Sequence, residues 1–351
     1  MKRKVSLKTF IPAMLLILVF IALAIVTGYA LSLRSRTAAQ VTAISSTAMP
    51  VETDRPLRTA QPAMPSPAPT VEPLIAVEAD DGNNPGDTEE PFWSDGVLFL
   101  NDTYRSPDVS VTLTVKEDSE LFNKKLIYYV ADVHVSDVTL LRTGCNSGSF
   151  KRAGHGEFSS IAKRENALVA ISGDYCPALI VRNGELFQRK ISENDICLLL
   201  KNGEMVTMSS NEASINKIME MDPWQGWQFG PALFDKKGNP IKSFPDVGIT
   251  VTNPRSCIGY IEPGHYCLVV VDGRQKASRG ATLPELAKLM QSLGCKQAYN
   301  LDGGASAHFY WKDSTLNHPS GGGRVVADIV YVAYEPYPTS RFYCGKAGLS
   351  K

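Results

Sequence analysis

Four short stretches set an acid or an arginine beside a glycine at the end of an apolar run: ISGDY (Ile171–Tyr175), NPRSCIG (Asn253–Gly259), VVVDGR (Val269–Arg274) and NLDGGAS (Asn300–Ser306). Folds built from strands and helices keep their reactive groups at strand ends of this kind. Three carboxylates, Asp174, Asp272 and Asp302, each follow such a run, and Arg255 and Arg274 lie near them. Carboxylates move protons, and a guanidinium matches two oxygens of an anion. One Asp-Gly after a strand is ordinarily a turn. It is the recurrence that points to a shared site.

Other chemistries fit less well. Ser306 invites a hydrolase reading, but the nucleophile elbow needs G-x-S-x-G, and Gly304-Ala305-Ser306-Ala307-His308 breaks it at the last place. His308 is two residues from Ser306, on the same face of a strand, whereas a triad recruits its histidine from elsewhere. No phosphate-loop motif G-x-x-x-x-G-K-[ST] is present. SGGGR (Ser320–Arg324) either cradles an anion through its N–H groups, with Arg324 adding charge, or is a flexible loop. His134, His155, His265 and His318 lack the spacing of zinc ligands and read as surface or core residues. Trp224, Trp227 and Phe229 either stack on a sugar ring or pack in the core.

The elements around these residues can be read from periodicity. VSVTLTVKE alternates as a half-buried strand, and KLIYYVADVHV is a more fully buried one. EFSSIAKRENALVAISGDY reads as a helix running into a strand. ALIVRNGELFQ and CLLLKNGEMVTM carry Asn-Gly between apolar runs, a strong hairpin signal, and PALFDKKGNPI suggests a third hairpin. TLPELAKLMQSLG is a helix with a capping box from Thr282 to Glu285 and a stop at Gly294. With HYCLVVVDG before it and KQAYNLDGG after it, it implies a β-α-β crossover between parallel strands. The expected fold class is therefore α/β, with α and β mixed: a mixed sheet with one crossover unit and several hairpins.

The chain has 351 residues and a formal net charge of +0, so it offers no electrostatic footprint for nucleic acid. Charge is nonetheless unevenly spread. Lys2, Arg3, Lys4 and Lys8 precede an uncharged run from Phe10 to Leu33, long enough to span a hydrocarbon core of about 30 Å. It is longer than the apolar region of a signal peptide, so an uncleaved single-pass anchor is expected, with cleavage near Ala30 or Ala39 as the alternative. Basic residues stay in the cytoplasm. The expected order is a cytoplasmic end (1–9), an anchor (10–33), a disordered Pro/Ala/Thr/Asp-rich stalk (34–91), an extracytoplasmic domain (92–340) and a tail (341–351). Seven cysteines follow the anchor in no CxxC pair. They read as buried small hydrophobes with at most a bridge among them, and they suggest no metal site.

QFGPALF, NPRSCIG, VVVDGR, GATLPELAKLMQSLGCKQAYNLDGGASA and PSGGGRVVADIVYV, in that order after AISGDY and LIVRNGEL, resemble the phosphodiester glycosidase family over roughly Glu157 to Glu335. The resemblance implies a hydrolase that releases a sugar from a sugar-1-phosphodiester, acting on an envelope or extracellular glycan such as an exopolysaccharide. Such chemistry needs carboxyl groups around an oxocarbenium-like transition state and donors that hold phosphate. On that basis Asp302 and Asp174 are the expected acid–base and nucleophilic or water-activating groups, with Asp272 as substitute. Arg255 and Arg274 would hold phosphate, with Arg324, Asn300 and Ser306 also at the substrate, and Gly303 and Gly304 would let it approach the backbone. No cofactor is required, though carboxylates beside phosphate oxygens could take Mg²⁺ or Ca²⁺. The chain departs from the family's usual N-L-D-G-G-G-S-S at Ala305 and Ala307, and from its Asn-Gly-x-[Tyr/Phe] at Ser172. The alternative is a relative that binds glycan or shapes the envelope without turnover.

Overall fold

The computed structural model of the protein describes residues 91–334, apart from 95–96, 153, 177 and 245–250. The expected cytoplasmic end, anchor, stalk and tail lie outside the described residues. Among the described residues no helix is long and apolar enough to cross a membrane.

The domain opens with an antiparallel meander: β1 (Leu98–Leu100), β2 (Thr103–Arg105), β3 (Val109–Asp118) and β4 (Leu126–Val135). After β5 (Arg142–Cys145), α1 (Phe158–Arg164) starts where the Glu157 carboxylate accepts the Ser160 N–H, and it leads into β6 (Ala167–Ser172). Both Asn-Gly hairpins form: β7 (Ile180–Arg182) with β8 (Glu185–Gln188), and β9 (Ile196–Leu200) with β10 (Met205–Met208). Asn183 and Gly184 have φ of 51° and 80°, the left-handed pair that a two-residue hairpin turn requires. A short α2 (Ile215–Glu220) and β11 (Pro223–Trp227) follow. The third expected hairpin is reduced to a single bridge between Phe234 and Pro240.

The last third carries β12 (Arg255–Glu262), β13 (His265–Val271), α3 (Leu283–Ser292), β14 (Gln297–Leu301), β15 (Phe309–Trp311), β16 (Ser314–Thr315) and β17 (Asp328–Ala333). The Thr282–Glu285 capping box forms as its spacing predicts.

These strands make one seven-stranded sheet, ordered β1-β2-β3-β4-β13-β12-β14, and two five-stranded sheets, β10-β9-β11-β7-β8 and β16-β15-β6-β17-β5. The period-2 alternation of side chains sorts each sheet's two faces. Val133, Leu268, Ile258 and Tyr299 of the large sheet share one core with Leu199 of the β9 sheet and with Val169, Phe309 and Val330 of the β6 sheet. The opposite faces are each covered by one helix. Val130, Val269 and Ala298 pack on α3, Tyr310 and Ile329 on α1, and Leu198 on α2.

The architecture is thus richer in sheet than expected, and the mixed sheet is corrected. Every ladder among the described strands is antiparallel. β13 and β14 do run in the same direction on either side of α3, but β12 lies between them and opposes both. The cause is local. β12 and β13 are joined by the tight Pro263-Gly264 turn, so the hairpin partner already holds the neighbouring slot and β14 adds to its far edge.

Candidate active site

Because β12 opposes both neighbours, its first residue lies beside their last. Arg255 pairs with Val271 and Ser256 with Leu301. Three strand ends, each followed or preceded by polar residues, therefore meet at one edge of the sheet. There they border a cavity of about 210 Å³ lined by Asn253, Arg255, Arg274, Asn300, Asp302 and Arg324, together with Phe229, Leu301, Gly303, Gly304 and Ala305.

Arg255 is buried. Its Nε donates to Ala281 O (2.8 Å) and its Nη2 to Val251 O (2.7 Å). Burial, and then the charge of Arg274, push its pKa down to about 10. Arg274 sits at φ 58°, and its Nε and Nη2 both donate to Asn253 Oδ1, at 3.1 and 2.8 Å. Arg324 donates from Nη2 to both oxygens of Asp302 at 3.1 Å, and from Nε to Ser306 Oγ. Three arginines and one aspartate thus line the same cavity, with Arg324 alone in contact with the carboxylate. An overall charge of zero hides a local excess of cation, which suits a ligand carrying phosphate.

Asp302 is the acid of this cleft, its side chain 10% exposed beside a half-exposed Arg324. Its backbone N–H donates to Gly173 O (2.8 Å), which ties the end of β14 to the end of β6. Burial raises its carboxyl above the ordinary aspartate range, against the pull of Ser306 and Arg324 and with a smaller push from Asp174. Asn300 donates from Nδ2 to Gly230 O (2.7 Å), which fixes the orientation of the amide. Its Oδ1 is then buried without a hydrogen-bond partner among the described residues.

Gly303 is where the wall is tightest, since a Cβ there would lie 2.6 Å from Pro254 O. Gly303→Ala is expected to push the Asp302 loop off Pro254 and cost about 1–3 kcal/mol of stability. Equilibrium denaturation measures it, and an unchanged midpoint would contradict the packing described.

Asp302 lines the cavity, and Asp174 and Asp272, expected beside it, do not. Asp174 is fully buried. Its Oδ1 accepts from Arg182 Nη2 (2.6 Å) and Cys176 N (2.8 Å), and its Oδ2 from Gln228 N (3.0 Å). Arg182 also holds Asp328, whose Oδ1 accepts from Asp174 N (3.0 Å). Asp272 accepts from Asn317 Nδ2 (2.9 Å), His318 N (3.2 Å) and Tyr129 OH (3.3 Å). Both acids brace the walls. Asp174 anchors the segment that carries Phe229, and Asp272 anchors the segment that leads to Arg324.

Ser306 has no histidine partner: His308 Nδ1 meets the Ser306 carbonyl (2.8 Å) while its ring stacks on Phe158. In SGGGR the N–H groups of Gly322 and Gly323 close the loop on Pro319 and Ser320. They are not free to cradle an anion, and only the Arg324 side chain reaches the cleft. Trp224 and Trp227 are core residues, and Phe229 alone of the three borders the cavity. Ala307 is buried in the shared core and Ser172 Oγ donates to Asp302 O (3.2 Å); neither residue lines the cavity. Ala305 does face the cavity. The six described cysteines carry free thiols. Asn253, Arg182 and Asp328 were not singled out by sequence. Asn253 lies inside the quoted NPRSCIG, while Arg182 and Asp328 sit at the ends of apolar strands and read there as ordinary edge residues.

The sequence model of the phosphodiester glycosidase family matches residues 151–333. The SPbeta prophage-derived uncharacterized protein YomE of Bacillus subtilis (strain 168) is 27% identical over 197 residues, 52% of this chain and 31% of that protein. The chain therefore matches less than a third of that relative's length. Among solved structures, the catalytic domain of zebrafish N-acetylglucosamine-1-phosphodiester alpha-N-acetylglucosaminidase, auto-inhibited by its pro-peptide, aligns with a TM-score of 0.54 and 20% identity. The alignment covers 65% of this chain and 84% of that one. At that identity the likeness is one of fold.

Proposed function

The chain belongs to the phosphodiester glycosidase family, and from that premise we propose that it hydrolyses a sugar-1-phosphodiester, with Asp302 as the group that activates water. The observation that carries this reading is the meeting of Arg255, Arg274 and Arg324 with a single carboxylate around one cavity. Held by the three guanidinium groups, the phosphate departs as a stabilised anion, so no second carboxyl is needed to protonate it. The water oxygen bonds the anomeric carbon as the carbon–phosphate oxygen bond breaks, and the water proton passes to Asp302. Phe229, which borders the cavity, would take a sugar face. With the run from Phe10 to Leu33 as anchor, the domain would act outside the cell on an envelope or extracellular glycan.

A second reading, binding of such ligands without turnover, draws on the absence of Asp174 and Asp272 from the cavity lining. The full chain is to be incubated with a panel of sugar-1-phosphodiesters and assayed for free reducing sugar, with and without chelator. Release supports hydrolysis, and binding with no release from any member of the panel supports the second reading.

The proposal also fixes the sign of the pH dependence. Asp302 must be ionised to accept a proton, and burial raises its pKa. Activity is therefore expected to fall as pH drops, with the acid limb of kcat/KM above the ordinary aspartate value of about 4. A limb at or below that value would remove Asp302 from the role of base.

A further inference from the structure

We propose that Asp132, His134 and His265 form a binding site for a divalent transition-metal ion of the zinc class, on the large sheet and remote from the cleft. Sequence spacing treats the two histidines as unrelated, but β4 and β13 bring them into direct register, His265 opposite His134. Their rings stack with centroids 3.8 Å apart at 25°. Both direct Nε2 at the same carboxylate: His265 Nε2 lies 2.6 Å from Asp132 Oδ1, and His134 Nε2 lies 3.5 Å from Asp132 Oδ2. The three ligand atoms all lie within 4.8 Å of one another.

The distances decide what the cluster can hold. A tetrahedral zinc ion with bonds of roughly 2.0–2.1 Å keeps its donors about 3.3 Å apart. The observed 2.6 and 3.5 Å bracket that value, so a small rotation of the carboxylate opens the set to an ion. Two imidazole nitrogens and one carboxylate oxygen favour zinc and its transition-metal neighbours over Mg²⁺ or Ca²⁺, which take oxygen ligands. The side chains are partly exposed, 42% for Asp132 and 19% for His265, which leaves the remaining position to water. A second acid–thiol cluster, Asp174, Cys176 and Asp328, cannot serve in the same way, because the Arg182 guanidinium already lies against both carboxylates.

The site belongs to the opposite end of β13 from the cleft. At about 3.3 Å per residue, the strand from His265 to Val271 sets them roughly 20 Å apart. An ion there would clamp β4 to β13, neighbouring strands in the interior of the large sheet, without entering the reaction.

The test uses the full chain, stripped of metal by chelator and titrated with Zn²⁺ by calorimetry, with thermal unfolding followed in parallel. Wild type is expected to bind one equivalent and to gain Tm. His265→Gln and Asp132→Asn are expected to lose at least about 100-fold in affinity and to show no zinc-dependent gain, while melting like wild type in chelator. NMR of the wild-type histidine rings needs no variant: zinc should shift His134 and His265 and leave His155 and His318 in place. Absence of binding, variants that bind as tightly as wild type, or shifts confined to other histidines would each overturn the proposal.

Discussion

Asp302→Asn is expected to lower kcat/KM for a sugar-1-phosphodiester by about 10³-fold or more, the scale set by loss of a positioned proton acceptor. The loss should fall on kcat. The arginines that hold phosphate are untouched by the substitution, and an asparagine Oδ1 can still accept from Arg324 Nη2, which now bonds both carboxylate oxygens. The fold should tolerate the change, since burial already disfavours the charged carboxylate. Steady-state kinetics with thermal unfolding as control decide it. A variant that keeps wild-type kcat sinks the assignment, and one that loses KM alone makes Asp302 a binding group.

Arg182→Met carries the largest expected effect on stability. The buried triad holds two carboxylates and one guanidinium, and all three side chains are inaccessible to solvent. Removing the cation leaves Asp174 and Asp328 facing each other in the interior, at a cost of about 3–5 kcal/mol. Asp328→Asn removes a negative charge instead and keeps the Asp174–Arg182 pair, so it should cost only about 1–3 kcal/mol for the hydrogen bonds it weakens. Burial, and then the Asp174 charge, raise the Asp328 pKa to about 6. The folded state therefore keeps this proton while the unfolded chain, near 3.8, has released it. The sign follows: this group's contribution to stability is lost as pH rises from about 4 through about 6. Asp328→Asn should flatten that decline. Urea denaturation of the two variants across this range tests both points, and an Arg182→Met protein as stable as Asp328→Asn would contradict them.

Much of the fold was legible because it rests on local rules. Asn183-Gly184 could only be a tight turn, and Thr282 with Glu285 could only begin a helix. The order of strands was not legible, because the insertion of β12 between β13 and β14 follows from a long-range choice of edge that periodicity does not encode. The cleft was read in part. Arg255, Arg274, Asn300, Asp302, Gly303, Gly304 and Arg324 all border it. Asp174 and Asp272 follow apolar strands in the same way as Asp302, yet their side chains turn into the protein. An aspartate after a strand looks the same in sequence whether it faces a cavity or a buried arginine. His134 and His265 show the complementary limit, since residues so far apart in the chain meet only through the register of a sheet.

Arg324 and β17 follow the other cleft residues in the chain, and that order has a consequence for biosynthesis. β17 is an interior strand of its sheet, between β6 and β5, and Arg324 supplies the last cation of the cleft. A polypeptide still emerging from the ribosome can carry residues 253–304 in full and yet lack both the strand that joins β6 to β5 and the side chain that steadies Asp302. Binding by all three cations thus waits until residue 324 has been made, so products terminated before it should hold an anionic ligand less tightly.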